Sequence, residues 1–342
     1  MRAVGRATRQ RGVAVITALL LTTLAVTIVA SLFWQQQVQV RSIENQRMQL
    51  QKQWILRGAL DWARLILSES YKVNSTVDTL QQPWAVGLAE TRLDSYVENG
   101  RSDSEASDAS ISGKIIDAQS RLNLCGLSVV GQTIPVEVQA FANLLRSLKI
   151  NPALALAAAD AMAASQLKEA PQTPPQATGQ ASPITAAVTP ATPATTSGTP
   201  VGTAALPQDP NRPMEISQVD DLLAVPGFTP AIVTQLKNFV IILPVATAVN
   251  FNTTSAEVLA ARVDTLSIAE AQAIILERDR AYARDTTDML SRLRGKPTTG
   301  LTVRTDYFLV DGKVRLNRAG LEVQALIQRK GAISTVLWIR ET

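Results

Sequence analysis

From Val13 to Trp34 the chain reads VAVITALLLTTLAVTIVASLFW, 22 residues without a single charge. As a helix rising 1.5 Å per residue this run is about 33 Å long, enough to cross a hydrocarbon core of about 30 Å. Arg2, Arg6, Arg9 and Arg11 all precede Gly12 with no acid among them, and the next basic residue is Arg41. Basic residues are retained on the cytoplasmic side, so the pattern predicts a cytoplasmic N-terminus and an exported remainder, which in a bacterium is periplasmic.

A secretory signal has a shorter apolar core, then a small-residue cut site and a break in structure. Nothing breaks here. Helix-favouring sequence runs on through QQQVQVRSIENQRMQLQKQWILRGALDWARLILSES without a proline and with one glycine, Gly58. Trp54, Ile55, Gly58, Ala59, Trp62, Ala63, Ile66 and Leu67 recur at near-helical spacing and predict one packed face. The expectation is a single helix over 13–72, embedded in its first half and packed on a domain in its second.

That arrangement, with RQRG directly before the apolar run, resembles the type IV pilin class and its relatives in type II secretion. The resemblance implies a leader over 1–12, cleavage by a prepilin peptidase between Gly12 and Val13, and methylation of the Val13 amine. Most such proteins carry glutamate at the fifth mature position, where this chain has Thr17. A carboxylate inside the apolar span needs a partner charge, which in that class is the terminal ammonium of a neighbouring subunit. Thr17 supplies no charge, so it marks a subunit suited to the first position, at a tip.

Composition narrows the chemistry. Without the leader's arginines the formal charge of +4 disappears, so bulk attraction to nucleic acid or an anionic membrane face is lacking. Histidine is absent, which removes a His-based triad and the commonest transition-metal ligand. The single cysteine, Cys125, is expected to be a small buried residue.

Beyond the long helix, SISGKIID and SRLNL around Ala118 and Gln119 read as a hairpin over 110–124. At the C-terminus TDYFLV, the pair Asp311–Gly312, KVRLN, LEVQALIQ, the pair Lys330–Gly331 and STVLWIR predict three antiparallel strands. Between these groups the pattern is helical over 136–167, with Asn151–Pro152 opening a second helix. Residues 170–208 carry no charge and are built from Ala, Thr, Gln, Pro, Gly and Ser, which predicts a disordered insertion over 170–212. Helices resume with Ser217 as a cap, a turn at Pro226–Gly227, a helix from near Pro230, another led in by Asn252 or Thr253, and a further one capped by Ser267. These two helix-turn-helix units resemble the SAM-like and helix-hairpin-helix class.

The leader, Thr17, GALDWAR, DAQSRLNL, DDLLAVPGFTPAIVTQL, LPVATAVNFNTTSAEVLAA and YFLVDGKVRL together are similar to the K-class minor pseudopilins of type II secretion. The resemblance implies an α+β, pilin-like fold: a long N-terminal helix packed on an antiparallel sheet, its first part over 73–130, a large inserted helical domain over 131–300, and sheet-completing strands over 301–342. It further implies a single-pass inner-membrane subunit at the tip of the pseudopilus, priming its assembly for export of folded exoproteins. The implied partners are the I- and J-class minor pseudopilins, through them the H-class and major pseudopilins, the prepilin peptidase and the inner-membrane assembly platform, with no nucleic acid.

Rival chemistry has less to stand on. VNFNTTSAEVLAARVDTLSIAEAQAIILER also resembles the helix-hairpin-helix of DNA-uptake proteins, which suggests a membrane-tethered nucleic-acid binder, but Asp264 to Ser267 stand where that module needs glycines. GLSVVGQT over 126–133 has phosphate-loop spacing, yet Gln132 replaces the lysine. Asp220–Asp221, and Glu277 with Asp279, diverge on helix surfaces. No catalytic residue and no cofactor are expected. Some members of the resembling family bind calcium, but the chain has no DxDxDG run on which to place ligands.

Overall fold

The computed structural model describes residues 11–92, 109–166, 213–316 and 319–341. The insertion expected over 170–212 and the leader residues before Arg11 lie outside them. In chain order the described helices are α1 (Arg11–Val73), α2 (Pro135–Ser147), α3 (Leu154–Ser165), α4 (Pro230–Leu236), α5 (Ala256–Arg262), α6 (Ile268–Arg280) and α7 (Thr286–Arg292). The strands are β1 (Leu88–Arg92), β2 (Ala109–Asp117), β3 (Leu122–Asn123), β4 (Ser128–Val129), β5 (Gln132–Thr133), β6 (Val240–Ile241), β7 (Val249–Asn250) and β8 (Leu301–Thr302). Three longer ones close the chain: β9 (Tyr307–Leu316), β10 (Ala319–Lys330) and β11 (Ile333–Glu341). They form two compact units, one of 1–73, 83–116 and 309–342, the other of 74–82 and 117–308.

The first unit is the long helix and a five-stranded sheet of order β1-β2-β9-β10-β11. With no proline to remove a hydrogen bond, α1 runs unbroken for 63 residues. Leu60, Ala63, Leu67 and Ser70 form its buried stripe, at the three- and four-residue spacing that keeps side chains on one face. Trp54 and Trp62, expected on that face, are instead exposed, at 68% and 47%. Their rings sit off the stripe, and the Arg57 guanidinium lies 5.5 Å from the Trp54 centroid. Arg64 Nε donates to the Ser334 carbonyl of β11 at 2.8 Å, and Arg329 of β10 lies over the Tyr71 ring at 5.5 Å.

All three C-terminal strands are present. Lys330–Gly331 is a turn, with Gly331 at φ +64° between β10 and β11. Asp311–Gly312 is not: β9 runs straight through both residues. Asp311 Oδ1 accepts a hydrogen bond from Gln324 of β10 at 2.9 Å, so ladder contacts override the local turn preference of an Asp-Gly pair.

The expected hairpin over 110–124 is also replaced. β2 pairs antiparallel with β1, whereas β3 pairs in parallel with β6, more than a hundred residues onward. The short 3-10 turn at Ala118–Ser120 sends the chain from one partner to the other. Leu122, Leu124 and Leu127 are buried in the helical core, so 117–130, and likewise 74–82 and 301–308, belong to the second unit rather than to the sheet unit.

The second unit has two apolar cores. One gathers α2, α3 and α4 around Phe141, Leu144, Leu154 and Leu236, the other α5, α6 and α7 around Phe251, Leu259 and Met289. Helix α5 serves both, turning Val258 and Ala261 to the first and Ala256 and Leu259 to the second. Asn151 Oδ1 accepts from the Ala153 amide ahead of α3, and Pro226–Gly227 turns with Gly227 at φ +97° before α4. The segment after Ser217 is a single 3-10 stretch, Val219–Ala224, whose N-cap is Gln218; Ser217 instead donates to the Asp221 carboxylate. Ser255, not Asn252 or Thr253, caps α5, because Asn252 is committed to a two-way bond with Ala283. Cys125 is half-buried in a 3-10 turn between core leucines, not enclosed as expected.

Candidate functional site

The anchor begins with the first turns of α1. Gly12 and Val13, the residues expected to flank the cut, are already helical, and Thr17 follows one turn later on the exposed surface. Residues Ala14–Ile43 form a helix long and apolar enough to cross a membrane, with a mean hydropathy of 2.4 in its best window and none of that window buried. Four threonines interrupt its aliphatic surface. Each donates its hydroxyl to a carbonyl three or four residues back: Thr17 to Ala14, Thr22 to Leu19, Thr23 to Leu20, and Thr27 to Thr23 and Leu24, at 2.8–3.1 Å. A hydroxyl bonded within its own helix does not need water, so Thr17 is compatible with lipid in a way that a carboxylate is not.

Above the span, the sheet unit leaves an apolar cleft lined by Leu56, Trp62, Ile66, Val86, Val310 and Val314. Gly113 shapes its floor: a Cβ there would lie 2.9 Å from the Asp311 carbonyl oxygen, so only glycine lets β2 and β9 approach so closely.

Sequence reasoning missed a buried polar node in the helical unit. Asp117 is 1% exposed and accepts four hydrogen bonds. Its Oδ1 takes the Gln119 amide at 2.7 Å, and its Oδ2 takes Asn250 Nδ2 at 2.9 Å, Thr253 Oγ1 at 2.5 Å and Thr305 Oγ1 at 2.6 Å. Asp78, 2% exposed, accepts the Thr305 amide at 2.8 Å, and its carbonyl takes Asn250 Nδ2 at 3.2 Å. Burial raises the Asp117 carboxyl to about 6, against the pull of its three side-chain donors, and the nearby Asp78 charge adds to the rise. The node ties 249–254, from the interior of this unit, to 74–82, 117–120 and 303–306, which lie where the chain passes into and out of it. Asp117 opens DAQSRLNL, so the motif was visible, but nothing local announced that its acid is buried.

The regions singled out for rival chemistry are accounted for structurally. GLSVVGQT forms the β4–β5 hairpin, with Val130 at φ 52° and Gly131 at φ 74° in its turn, rather than a loop opening a helix around phosphate. Between α5 and α6, Thr265 holds a left-handed φ of 65° and its carbonyl accepts Lys296 Nζ at 3.0 Å. The Ser267 amide that would face a phosphate is taken by Glu270 Oε2 at 2.9 Å. That amide, then Lys296 and the Ser267 hydroxyl, hold the Glu270 carboxyl down to about 2. A negative charge thus already occupies the anion position. Among the described residues no three His, Cys, Asp or Glu side chains gather as a metal would require.

Two family models, both described as "Type II secretion system (T2SS), protein K", match the chain in succession, over 120–245 and 249–311. The chain belongs to the protein K family of type II secretion systems. It is therefore a minor pseudopilin, a structural component of that machinery, and its N-terminal apolar helix fits a single-pass membrane anchor. The matched ranges meet between β6 and β7 and together take in almost all of the helical unit, so the family signature lies in the inserted helices, with Asp117 just ahead of its start and Asn250, Thr253 and Thr305 inside it. Among solved structures, a chain in "The Crystal Structure of the GspK-GspI-GspJ complex from enterotoxigenic Escherichia coli Type 2 Secretion System" is similar in fold. It superposes with a TM-score of 0.59 at 20% sequence identity, covering 87% of this chain and 98% of that one. No curated protein matches the chain.

Proposed function

We propose that this protein K family member occupies the tip of the periplasmic pseudopilus with I- and J-class minor pseudopilins. In this reading it primes assembly of the H-class and major pseudopilins beneath it, and so the export of folded exoproteins across the outer membrane. The observation that carries the proposal is Thr17. Its hydroxyl is bonded to the Ala14 carbonyl inside its own helix, so the anchor offers no carboxylate at that position to pair with a terminal amine of a subunit above. A subunit that cannot join beneath another belongs at the top. The similar fold found in a complex of K, I and J proteins supports the choice of partners. Leu50, Trp54, Trp62 and Leu65 on α1 are exposed and available for those contacts.

In the same reading, a prepilin peptidase cuts between Gly12 and Val13, the Val13 amine is methylated, and α1 is handed to the inner-membrane assembly platform with the rest of the chain in the periplasm. The subunit catalyses no reaction, needs no cofactor and does not engage nucleic acid. Intact-mass analysis of the chain co-expressed with a prepilin peptidase tests the processing: a mature chain starting at methylated Val13 supports it, and an uncut chain, or one cut after Trp34, overturns it. Co-purification of the membrane form with I- and J-class pseudopilins tests the assembly; capture of neither refutes the tip assignment.

A further inference from the structure

The Asp117 node has more donors than a neutral acid needs and no basic side chain among its partners. Gln119, Asn250, Thr253 and Thr305 are all neutral, and the one other acid nearby, Asp78, is bridged to Asp117 through Thr305. Three other charged groups on the packed elements have other surroundings. Arg304 and Asp306 flank Thr305 on the exposed side, and Arg278 directs its guanidinium to the carbonyls of Phe251 and Thr254 and to Asp279. A carboxylate enclosed in this way lowers its free energy by gaining a proton, provided that the network can rearrange to receive it.

The geometry supplies that rearrangement. The Thr253 hydroxyl, which donates to Asp117 Oδ2, also lies 3.4 Å from the Asn250 carbonyl oxygen. When Asp117 Oδ2 carries a proton, rotation about one side-chain bond lets Thr253 Oγ1 accept from it and donate to Asn250 instead. The proton comes from water, no covalent bond between heavy atoms forms or breaks, and Asn250 Nδ2 keeps the Asp78 carbonyl at 3.2 Å and Thr305 Oγ1 at 3.0 Å as acceptors for its two hydrogens, leaving Thr305 as the one donor to the protonated oxygen.

We infer that the Asp117 node is a proton-operated clamp, which holds the segments 74–82, 117–120, 249–254 and 303–306 together more tightly when Asp117 is protonated than when it is charged. The sign follows from linkage. The carboxyl titrates near 6 when folded and near its ordinary 3.8 when released, so the folded state binds more protons between those values. The clamp is therefore loosest above pH 7 and tightens as the pH falls through about 6. From pH 7.5 to pH 5 the closing equilibrium should gain about tenfold, which is ~1.4 kcal/mol.

Amide hydrogen exchange on the full chain in detergent, normalised at each pH to the intrinsic exchange rate, tests this. Protection of the peptides spanning 249–254 and 303–306 should rise about tenfold between pH 7.5 and 5, relative to peptides from α7. In Asp117→Asn the rise should vanish, and in Thr253→Val, which removes a donor that holds the carboxyl down, it should begin at higher pH. Protection in the unaltered chain that does not rise on acidification overturns the inference without any variant. A rise that survives unchanged in both variants assigns the proton to another group and overturns it equally.

Discussion

Arg262 on α5 places Nη1 2.7 Å from Glu137 Oε1 on α2, joining two helices 125 residues apart. The guanidinium is 1% exposed and the carboxylate 22%. Removing the partner of a buried charge leaves the other charge enclosed without compensation. Glu137→Ala, which strands the enclosed guanidinium, is therefore expected to lower the unfolding free energy of the helical unit by about 3–5 kcal/mol. Arg262→Ala, which leaves a carboxylate that water can reach, should cost less on this account. Urea unfolding of the full chain, followed by helical signal, distinguishes them, and equal losses would show that the pair is not asymmetric in the way its burial indicates.

Two glycines should respond to alanine with opposite signs. Gly227 has φ +97°, and a Cβ there would lie 2.6 Å from Leu154 Cδ2, so Gly227→Ala should destabilise by about 1–3 kcal/mol. Gly58 sits in α1 with nothing within 4 Å of an added Cβ. Gly58→Ala should instead stabilise the helix by about 0.5–1 kcal/mol, read as slower amide exchange around residue 58.

Replacing Thr17 by glutamate tests the anchor directly. The substitution exchanges a hydroxyl satisfied within its own helix for a carboxylate that needs a partner in the bilayer. If the missing charge places the subunit at the tip, Thr17→Glu should allow it to be incorporated below the tip, seen as more than one copy per pseudopilus by quantitative crosslinking. An unchanged copy number and unchanged secretion would remove Thr17 from the argument.

Acid should loosen the start of α6. Glu270 is held near 2 by the Ser267 amide, by Lys296 and by the Ser267 hydroxyl, below its ordinary 4.5. A depressed folded value means that its contribution is present above 4.5 and is lost as the pH falls through that value toward 2. Exchange at the α6 N-terminus should accelerate over that window, in the opposite sense to the behaviour expected of Asp117. Glu270→Gln should flatten it.

These residues also show what could be read from the chain before its structure. Elements whose cause is local were legible: the proline-free α1, the Lys330–Gly331 turn, the Ser267 cap and the Pro226–Gly227 break each rest on residues within a few positions of one another. Asp311–Gly312 looked equally local, but a cross-strand bond to Gln324 decides it. The failed hairpin over 110–124 has the same origin, since β3 takes a partner from beyond α4 that no short window contains. Asp117 is the extreme case, because its side-chain partners stand 133, 136 and 188 residues away. Of the anchor, the span and its continuation were evident in the pattern of charge; which tryptophans stay uncovered was not, because near-helical spacing alone does not say which stripe the sheet will choose.

The unbroken α1 has a mechanical consequence. Its 63 residues make a rod of about 95 Å, of which about a third lies within the apolar span. It is α-helical without interruption, and it lacks the proline at which such rods bend sharply. An axial push on its foot in the membrane therefore reaches the sheet strapped to its upper turns with little lost to bending. Insertion of a further subunit beneath it would raise the load above by nearly the full step, as a piston rod does.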